Sequence, residues 1–238
     1  MRSPLVLASH GSRDPRSAAT MVRLAKRVRA HWPAPVVAAF LDFDTPSIPD
    51  TLRVLAPGGR TPIVVPMLLT SAYHGRVDLP AVLAASPVAS RLAPVLGPPS
   101  PGLAPDPLLV AGLRRRLSEL DTGHDGLVLI AAGTSHAPAR STVDAVAAAL
   151  DLPCVVGYAS AAGPTAGEAV RAVRAMGAGR IVVASYFLAV GRLYEAAAAS
   201  AREAGALAVA EPLGDADELV RLILDRALSV SDRELIAA

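Results

Sequence analysis

Apolar residues fall along this chain in two kinds of run. Short, unbroken runs near Leu5–Ala8, Val36–Phe40, Ile63–Leu68 and Pro94–Leu96 predict strands without polar alternation, as in parallel strands covered on both faces. Between them lie longer stretches with apolar residues at three- and four-residue spacing. In the first, Ala18, Met21, Val22, Ala25 and Val28 oppose Arg23, Lys26 and Arg27. These stretches predict helices near Arg16–Arg29, Ser47–Leu55, Asp78–Ala85 and Asp106–Leu120. Asp14 followed by Pro15 reads as an N-cap and first helical position, since a carboxylate accepts free N–H groups and proline carries the required φ.

The pattern then repeats. Leu127–Thr134 restates Leu5–Ser12 at an offset of 122. Further on the offset is 118, pairing Phe40 with Tyr158, Pro46 with Pro164 and Asp50 with Glu168. The second set of strands is expected near Leu127–Ala131, Cys154–Tyr158, Ile181–Phe187 and Leu207–Ala210, with helices near Ala139–Leu150, Thr165–Met176, Leu193–Ala204 and Ala216–Leu228. A period this long is a duplicated domain and not a solenoid unit. The expected fold is α/β, two similar domains over residues 1–121 and 122–238, each a small parallel sheet flanked by helices. A ligand cleft is expected between the two halves.

Composition narrows the classes. Hydrophobic residues make up 52% of the 238 positions but aromatics only 3%, so the core is aliphatic. A net charge of +2, with Lys26 the only lysine, offers no basic stripe with interleaved aromatics, and no nucleic-acid partner is expected. Cys154 is the only cysteine, which excludes an intrachain disulfide and a CxxC site. No basic region leads into a long apolar segment, and no apolar run is long enough to span a bilayer. A cytoplasmic protein without a signal peptide or membrane partner is therefore expected, as a monomer or homodimer.

Candidate chemistry gathers after the first-half strands. His10 follows the first, in His10-Gly11-Ser12-Arg13-Asp14-Pro15. Asp42 follows the second, in Phe40-Leu41-Asp42-Phe43-Asp44-Thr45-Pro46, and His74 the third, in Tyr73-His74-Gly75-Arg76. In a parallel sheet all three loops open on one edge, where α/β proteins bind ligands. Two imidazoles and a carboxylate suit Fe²⁺, Co²⁺ or Ni²⁺ with coordination positions left open. The same residues also read as solvated loop carboxylates and a turn-capping histidine. In the second half Ala132 stands at the position of His10, and a gap near Val190-Gly191-Arg192 faces the His74 loop. His136 aligns with Asp14 and reads as a capping or cleft-lining residue. Arg13, Arg76 and Arg192 fall in loops at the expected cleft edge.

The His10–Pro15, Phe40–Ile48 and Ser71–Pro80 segments resemble, in order, three signatures of the sirohydrochlorin chelatases, and the doubled domain is similar to the long bacterial form of that family. The resemblance covers essentially the whole chain. It implies an enzyme that inserts a divalent metal into sirohydrochlorin, in siroheme or cobalamin synthesis, with no permanent cofactor and Fe²⁺ or Co²⁺ as metal substrate. Iron is favoured here, because an Arg- and Ala-rich composition suggests a GC-rich bacterium with a general need for siroheme. Carried over residue by residue, it makes His10, Asp42 and His74 the metal ligands, and His10 and His74 also proton acceptors for the pyrrole N–H groups. Gly11, Ser12, Arg13, Arg76 and Arg192 would meet the substrate carboxylates, through N–H groups at the helix start and through guanidinium groups. Family members usually carry Glu where this chain has Asp42, one methylene shorter, and Asp44 is the nearby substitute. Two other readings compete: a metal carrier with the same ligands, and a histidine-phosphatase-like enzyme suggested by Ser9-His10-Gly11. The second lacks the arginine that would precede the histidine.

Overall fold

The computed structural model describes residues 2–70, 78–160 and 163–231. It contains two four-stranded, wholly parallel sheets. The first is built from β1 (Leu5–Ser9), β2 (Val36–Phe40), β3 (Ile63–Pro66) and β4 (Arg91–Leu92), in the order β2-β1-β3-β4. The second is built from β5 (Gly126–Ala131), β6 (Cys154–Tyr158), β7 (Ile181–Tyr186) and β8 (Ala208–Val209), in the order β6-β5-β7-β8. The helices are α1 (Pro15–Arg29), α2 (Ile48–Leu55), α3 (Leu79–Ala84) and α4 (Pro107–Ser118), then α5 (Ala137–Ala148), α6 (Ala166–Ala175), α7 (Arg192–Glu203) and α8 (Asp217–Ser231). A 3-10 turn at Ala56–Gly58 closes α2.

The central strands bury both faces, which is why their sequences are almost continuously apolar, whereas Arg91 and Leu92 of the edge strand β4 stay partly exposed. In the first sheet Val6, Ala8, Ala39 and Val64 pack with Ile48 and Leu52 of α2 and Leu79 of α3. Alternation sends Leu5 and Leu7, both fully buried, to the opposite face, where α1 packs on β2 and α8 on β3. In the second sheet Val128, Ile130 and Val183 pack with Ala166, Ala169, Val170 and Val173 of α6 and with Tyr194, Ala197 and Ala198 of α7. There α4 lies against β7 and α5 against β6.

Helix starts follow the local chemistry. Asp14 caps α1 as expected, accepting from the Arg16 N–H at 3.0 Å with Pro15 in the first turn. Ser47 caps α2 and Asp106 caps α4 in the same way. Thr165 and Glu168 form a reciprocal capping box at α6.

The structure departs from expectation at two places. The fourth strand lies at Arg91–Leu92, not Pro94–Leu96. Pro94 has no N–H to give a ladder, so Ala93 makes the last bond to β3, donating to Val64 O at 2.9 Å. The apolar residues Val95 and Leu96 are buried beyond the strand.

The second departure is the boundary near 121. The compact units are residues 1–99 with 215–238, and residues 100–214. The helix that ends each sequence repeat thus completes the other repeat's unit. Within the first unit, Arg226 of α8 donates from Nε to Val95 O at 3.0 Å and from Nη2 to Leu96 O at 3.3 Å, while Arg27 of α1 pairs with Asp217. Within the second, Arg114 of α4 pairs with Asp151 at 2.7 Å and Arg116 donates to Leu213 O at 3.0 Å. The division between units falls in the stiff Gly97-Pro98-Pro99-Ser100-Pro101-Gly102 segment. Among the described residues, no helix is long and apolar enough to cross a membrane.

Candidate functional site

The strand order fixes where a ligand belongs in the first unit. From β1 the chain crosses to β2 on one side and then to β3 on the other, so β1 and β3 flank the switch point of the sheet. A crevice opens there beyond the carboxyl ends of the strands. Ser9 pairs with Phe40 and Ala8 with Pro66, so the loops after β1, β2 and β3 leave the sheet at one edge. The first two of these loops carry His10 and Asp42.

The first two loops are locked to one another. Leu41 N–H donates to Ser9 O and Asp42 N–H to His10 O, each at 2.9 Å. Gly11 has φ +91°, and a Cβ on it would lie 1.8 Å from Asp42 O. Only glycine permits that approach. Across the same gap, Asp44 Oδ2 accepts the Ser12 N–H at 2.9 Å, and Ser12 Oγ accepts the Asp14 N–H at 3.1 Å. Asp14 in turn holds the Arg16 guanidinium through Nη2 at 2.7 Å. Hydrogen bonds from Arg16 keep the Asp14 carboxyl below its ordinary range.

His10 is half-buried. Its Nδ1 lies 3.3 Å from Gly11 O. A carbonyl only accepts, so in this contact the imidazole is the donor, through Nδ1. Asp42 is exposed, and its Oδ1 accepts the Phe43 N–H at 2.8 Å. That bond leaves lone pairs on the carboxylate for a cation.

Phe43 adopts φ +64°. Its ring centroid lies 6.0 Å from that of His10, with 29° between the planes. The Arg13 guanidinium carbon sits 5.2 Å from the same centroid, in cation–π range.

The structure thus brings His10, Asp42, Gly11, Ser12 and Arg13 together at the edge of the first sheet. It corrects one expected role: the Ser12 N–H, expected to face substrate carboxylates, is held by the protein's own Asp44. It also separates the two aspartates, with Asp44 stapling the loops and Asp42 presenting its carboxylate at the surface. His74 and Arg76 lie outside the described residues. Arg192 is exposed at the start of α7 in the second unit. Among the described residues no three His, Cys, Asp or Glu side chains gather in a metal-binding group.

Sequence reasoning did not single out Phe43. A phenylalanine in a polar turn, in a chain with only 3 of them, was the available signal.

The second unit keeps the frame and changes the chemistry. Gly133 has φ +94° and a Cβ there would lie 1.9 Å from Ser160 O. Thr134 Oγ1 accepts the His136 N–H at 3.1 Å, as Ser12 does from Asp14. At the positions of His10 and Asp42 stand Ala132 and Ser160, and the Ser160 hydroxyl donates to Ala132 O at 2.7 Å. His136 sits at the N-cap of α5 with no side-chain capping bond. Cys154 begins β6, where burial pushes its thiol up to about 12, as suits a packed and inert side chain.

Known proteins carry the same architecture. The SirB structure from Bacillus subtilis with Fe3+ superimposes with a TM-score of 0.80 at 18% identity, over 100% of this chain and 98% of that one. CbiX, described as the terminal enzyme of siroheme biosynthesis in denitrifying bacteria, gives 0.66 at 20% identity, over 96% of this chain and 99% of that one. At these identities the likeness is one of fold. In sequence, a sirohydrochlorin cobaltochelatase of Methanocaldococcus jannaschii is 36% identical over 81 residues, which is 33% of this chain and 57% of that protein. The chain therefore spans little more than half the length of that relative. The CbiX family model matches twice, over residues 4–120 and 126–230. Matched over both of its sequence repeats, the chain belongs to the CbiX family.

Proposed function

We propose that this protein inserts Fe²⁺ or Co²⁺ into sirohydrochlorin, with the metal-binding chemistry in the first unit. The reading rests above all on the placement of His10. It leaves the carboxyl end of β1 at the switch point, its Nδ1 is turned to Gly11 O, and its loop is locked to the loop that exposes Asp42. The 36% identical sirohydrochlorin cobaltochelatase supports the substrate assignment.

The chemistry follows from these residues. The His10 imidazole and the Asp42 carboxylate hold an incoming divalent cation, with His74 as the remaining ligand. Two hard or borderline donors and an open coordination sphere bind a metal loosely enough for it to leave. As the metal enters the ring two pyrrole protons leave, and His10 and His74, released from the metal, accept one each. Arg13, Arg76 and Arg192 take the carboxylates of the macrocycle. Each chain handles one productive metal, because Ala132 and Ser160 replace the ligands in the second unit. The protein acts in the cytoplasm, as a monomer or homodimer.

The test mixes purified protein, sirohydrochlorin and Co²⁺ or Fe²⁺ and follows the absorbance of the macrocycle. Wild type should shift the spectrum well above the uncatalysed rate, and His10→Ala should lose about a hundredfold or more of that rate. Binding of Co²⁺ with no change in added sirohydrochlorin would instead identify a metal carrier.

A further inference from the structure

Phe43 combines two unfavourable features at the edge of the site. Its backbone lies in the left-handed region at φ +64°, where a bulky side chain is rarely found. The residue is 51% exposed, in a chain that buries Phe40 and Phe187 almost completely. Neither feature serves the core.

Three contacts hold the residue there. Its N–H is fixed on Asp42 Oδ1, its ring lies beside the His10 imidazole at 29°, and Arg13 sits over the ring. Strain that the surroundings maintain at a site edge is a pointer to use.

We propose that Phe43 is a specificity-determining residue for the macrocycle. The exposed part of its ring meets the flat conjugated face of the substrate. The same ring holds the Arg13 guanidinium where a peripheral carboxylate can reach it. Aromatic rings pair well with flat π systems, and a guanidinium on an aromatic face keeps its N–H edge available for a carboxylate. Phe43 takes no proton and binds no metal, so its loss should weaken the hold on sirohydrochlorin and spare metal capture.

This inference rests on the proposed activity, and the experiment separates the two. Phe43→Asn removes the ring but keeps a residue that tolerates positive φ, so the loop holds its shape. Phe43→Tyr keeps the ring. KM for sirohydrochlorin is measured for wild type and both variants, alongside titration with Co²⁺ alone and the thermal midpoint.

The expected result for Phe43→Asn is a KM raised about tenfold or more with Co²⁺ affinity within about twofold and an unchanged or raised midpoint. Phe43→Tyr should restore KM to near wild type. An unchanged KM in Phe43→Asn, a parallel loss of Co²⁺ affinity, or no rescue by Phe43→Tyr overturns the assignment while wild type still turns over. Absence of metal insertion by wild type overturns the proposed activity and this inference with it.

Discussion

Gly11→Ala attacks the joint that holds the candidate site together. Its cost has two parts. A residue with a Cβ pays about 1–2 kcal/mol for a left-handed backbone, and Gly11 sits at φ +91°. The added Cβ would also stand 1.8 Å from Asp42 O, so the two loops must part by about 1.5 Å to reach ordinary contact. Parting them breaks the bonds from Asp42 N–H to His10 O and from Ser12 N–H to Asp44, both 2.9 Å, at about 1 kcal/mol each. The total is about 3–4 kcal/mol, a large share of the roughly 5–15 kcal/mol that stabilises a domain. At a urea m-value of about 2 kcal/mol/M, the midpoint of the affected transition should fall by roughly 1.5–2 M.

The duplicated frame supplies an internal control. Gly133→Ala meets the same strain, at φ +94° and 1.9 Å from Ser160 O, and should show a shift of similar size. The assays should then diverge. Gly11→Ala should lose most metal insertion even below its melting range, because His10 and Asp42 no longer share an edge. Gly133→Ala should stay within a few-fold of wild type in the same conditions. Circular dichroism in urea and the absorbance assay decide both points. An unshifted midpoint in Gly11→Ala would show that the loops yield without cost, and equal loss of activity in the two variants would refute the assignment of chemistry to the first unit.

Other expectations follow from the same geometry. Asp44→Ala should lower stability by about 1–2 kcal/mol by leaving the Ser12 N–H without its acceptor, read as a urea-midpoint shift. Asp42→Ala should change that midpoint little and weaken Co²⁺ affinity in a calorimetric titration. The Cys154 thiol, pushed up to about 12 by burial, should react with a thiol reagent at pH 8 far more slowly in the folded protein than in urea. Asp125 accepts the Arg180 and Gly179 N–H groups at 2.7 and 3.2 Å, and these bonds hold its carboxyl below the usual range. A depressed carboxyl stabilises the fold above its unfolded pKa of about 4 and stops doing so as pH falls through the folded value. The stability lost in Asp125→Asn should therefore be present at pH 7 and shrink at pH 3, as urea midpoints at the two values would show.

How much of this was readable in the chain depends on the range of the interaction. Parallel strands were legible because two-sided burial leaves no polar positions in Leu5–Leu7 or Val128–Ile130. The α1 start was legible because Asp14 and Pro15 act within one turn. The exchange of α4 and α8 was not, because an amphipathic pattern marks the face a helix buries but not the sheet it is buried against. The contacts that mark the exchange are long-range pairs such as Arg226 with Val95 O and Arg114 with Asp151. The role of Asp44 was hidden for the same reason: its partner, Ser12, lies 32 residues away. Phe43 was hidden because its significance rests on a backbone angle that no composition rule reports.

The duplication separates what the fold needs from what the chemistry needs. Both copies keep a glycine with positive φ pressed on a carbonyl, at Gly11 and Gly133. Both keep a hydroxyl accepting the N–H two residues on, at Ser12 and Thr134. Both tie the end of the second strand to a proline carbonyl, Phe40 to Pro46 at 3.0 Å and Tyr158 to Pro164 at 2.8 Å. These contacts are the requirements of a strand–turn–helix joint, and they persist where Ala132 and Ser160 stand in place of His10 and Asp42. His10 and Asp42 are absent from that shared set. In the second copy Ser160 uses its hydroxyl to bind Ala132 O, so a polar residue at the Asp42 position can serve the joint alone. In the first copy the joint is closed by Asp44, which leaves the Asp42 carboxylate at the surface beside the His10 loop. With the joint closed by Asp44, the Asp42 carboxylate is left with the local bond it takes from the Phe43 N–H and with further lone pairs at the surface. That surplus, set against a copy that manages without it, is the strongest reason to assign the proposed metal binding to His10 and Asp42.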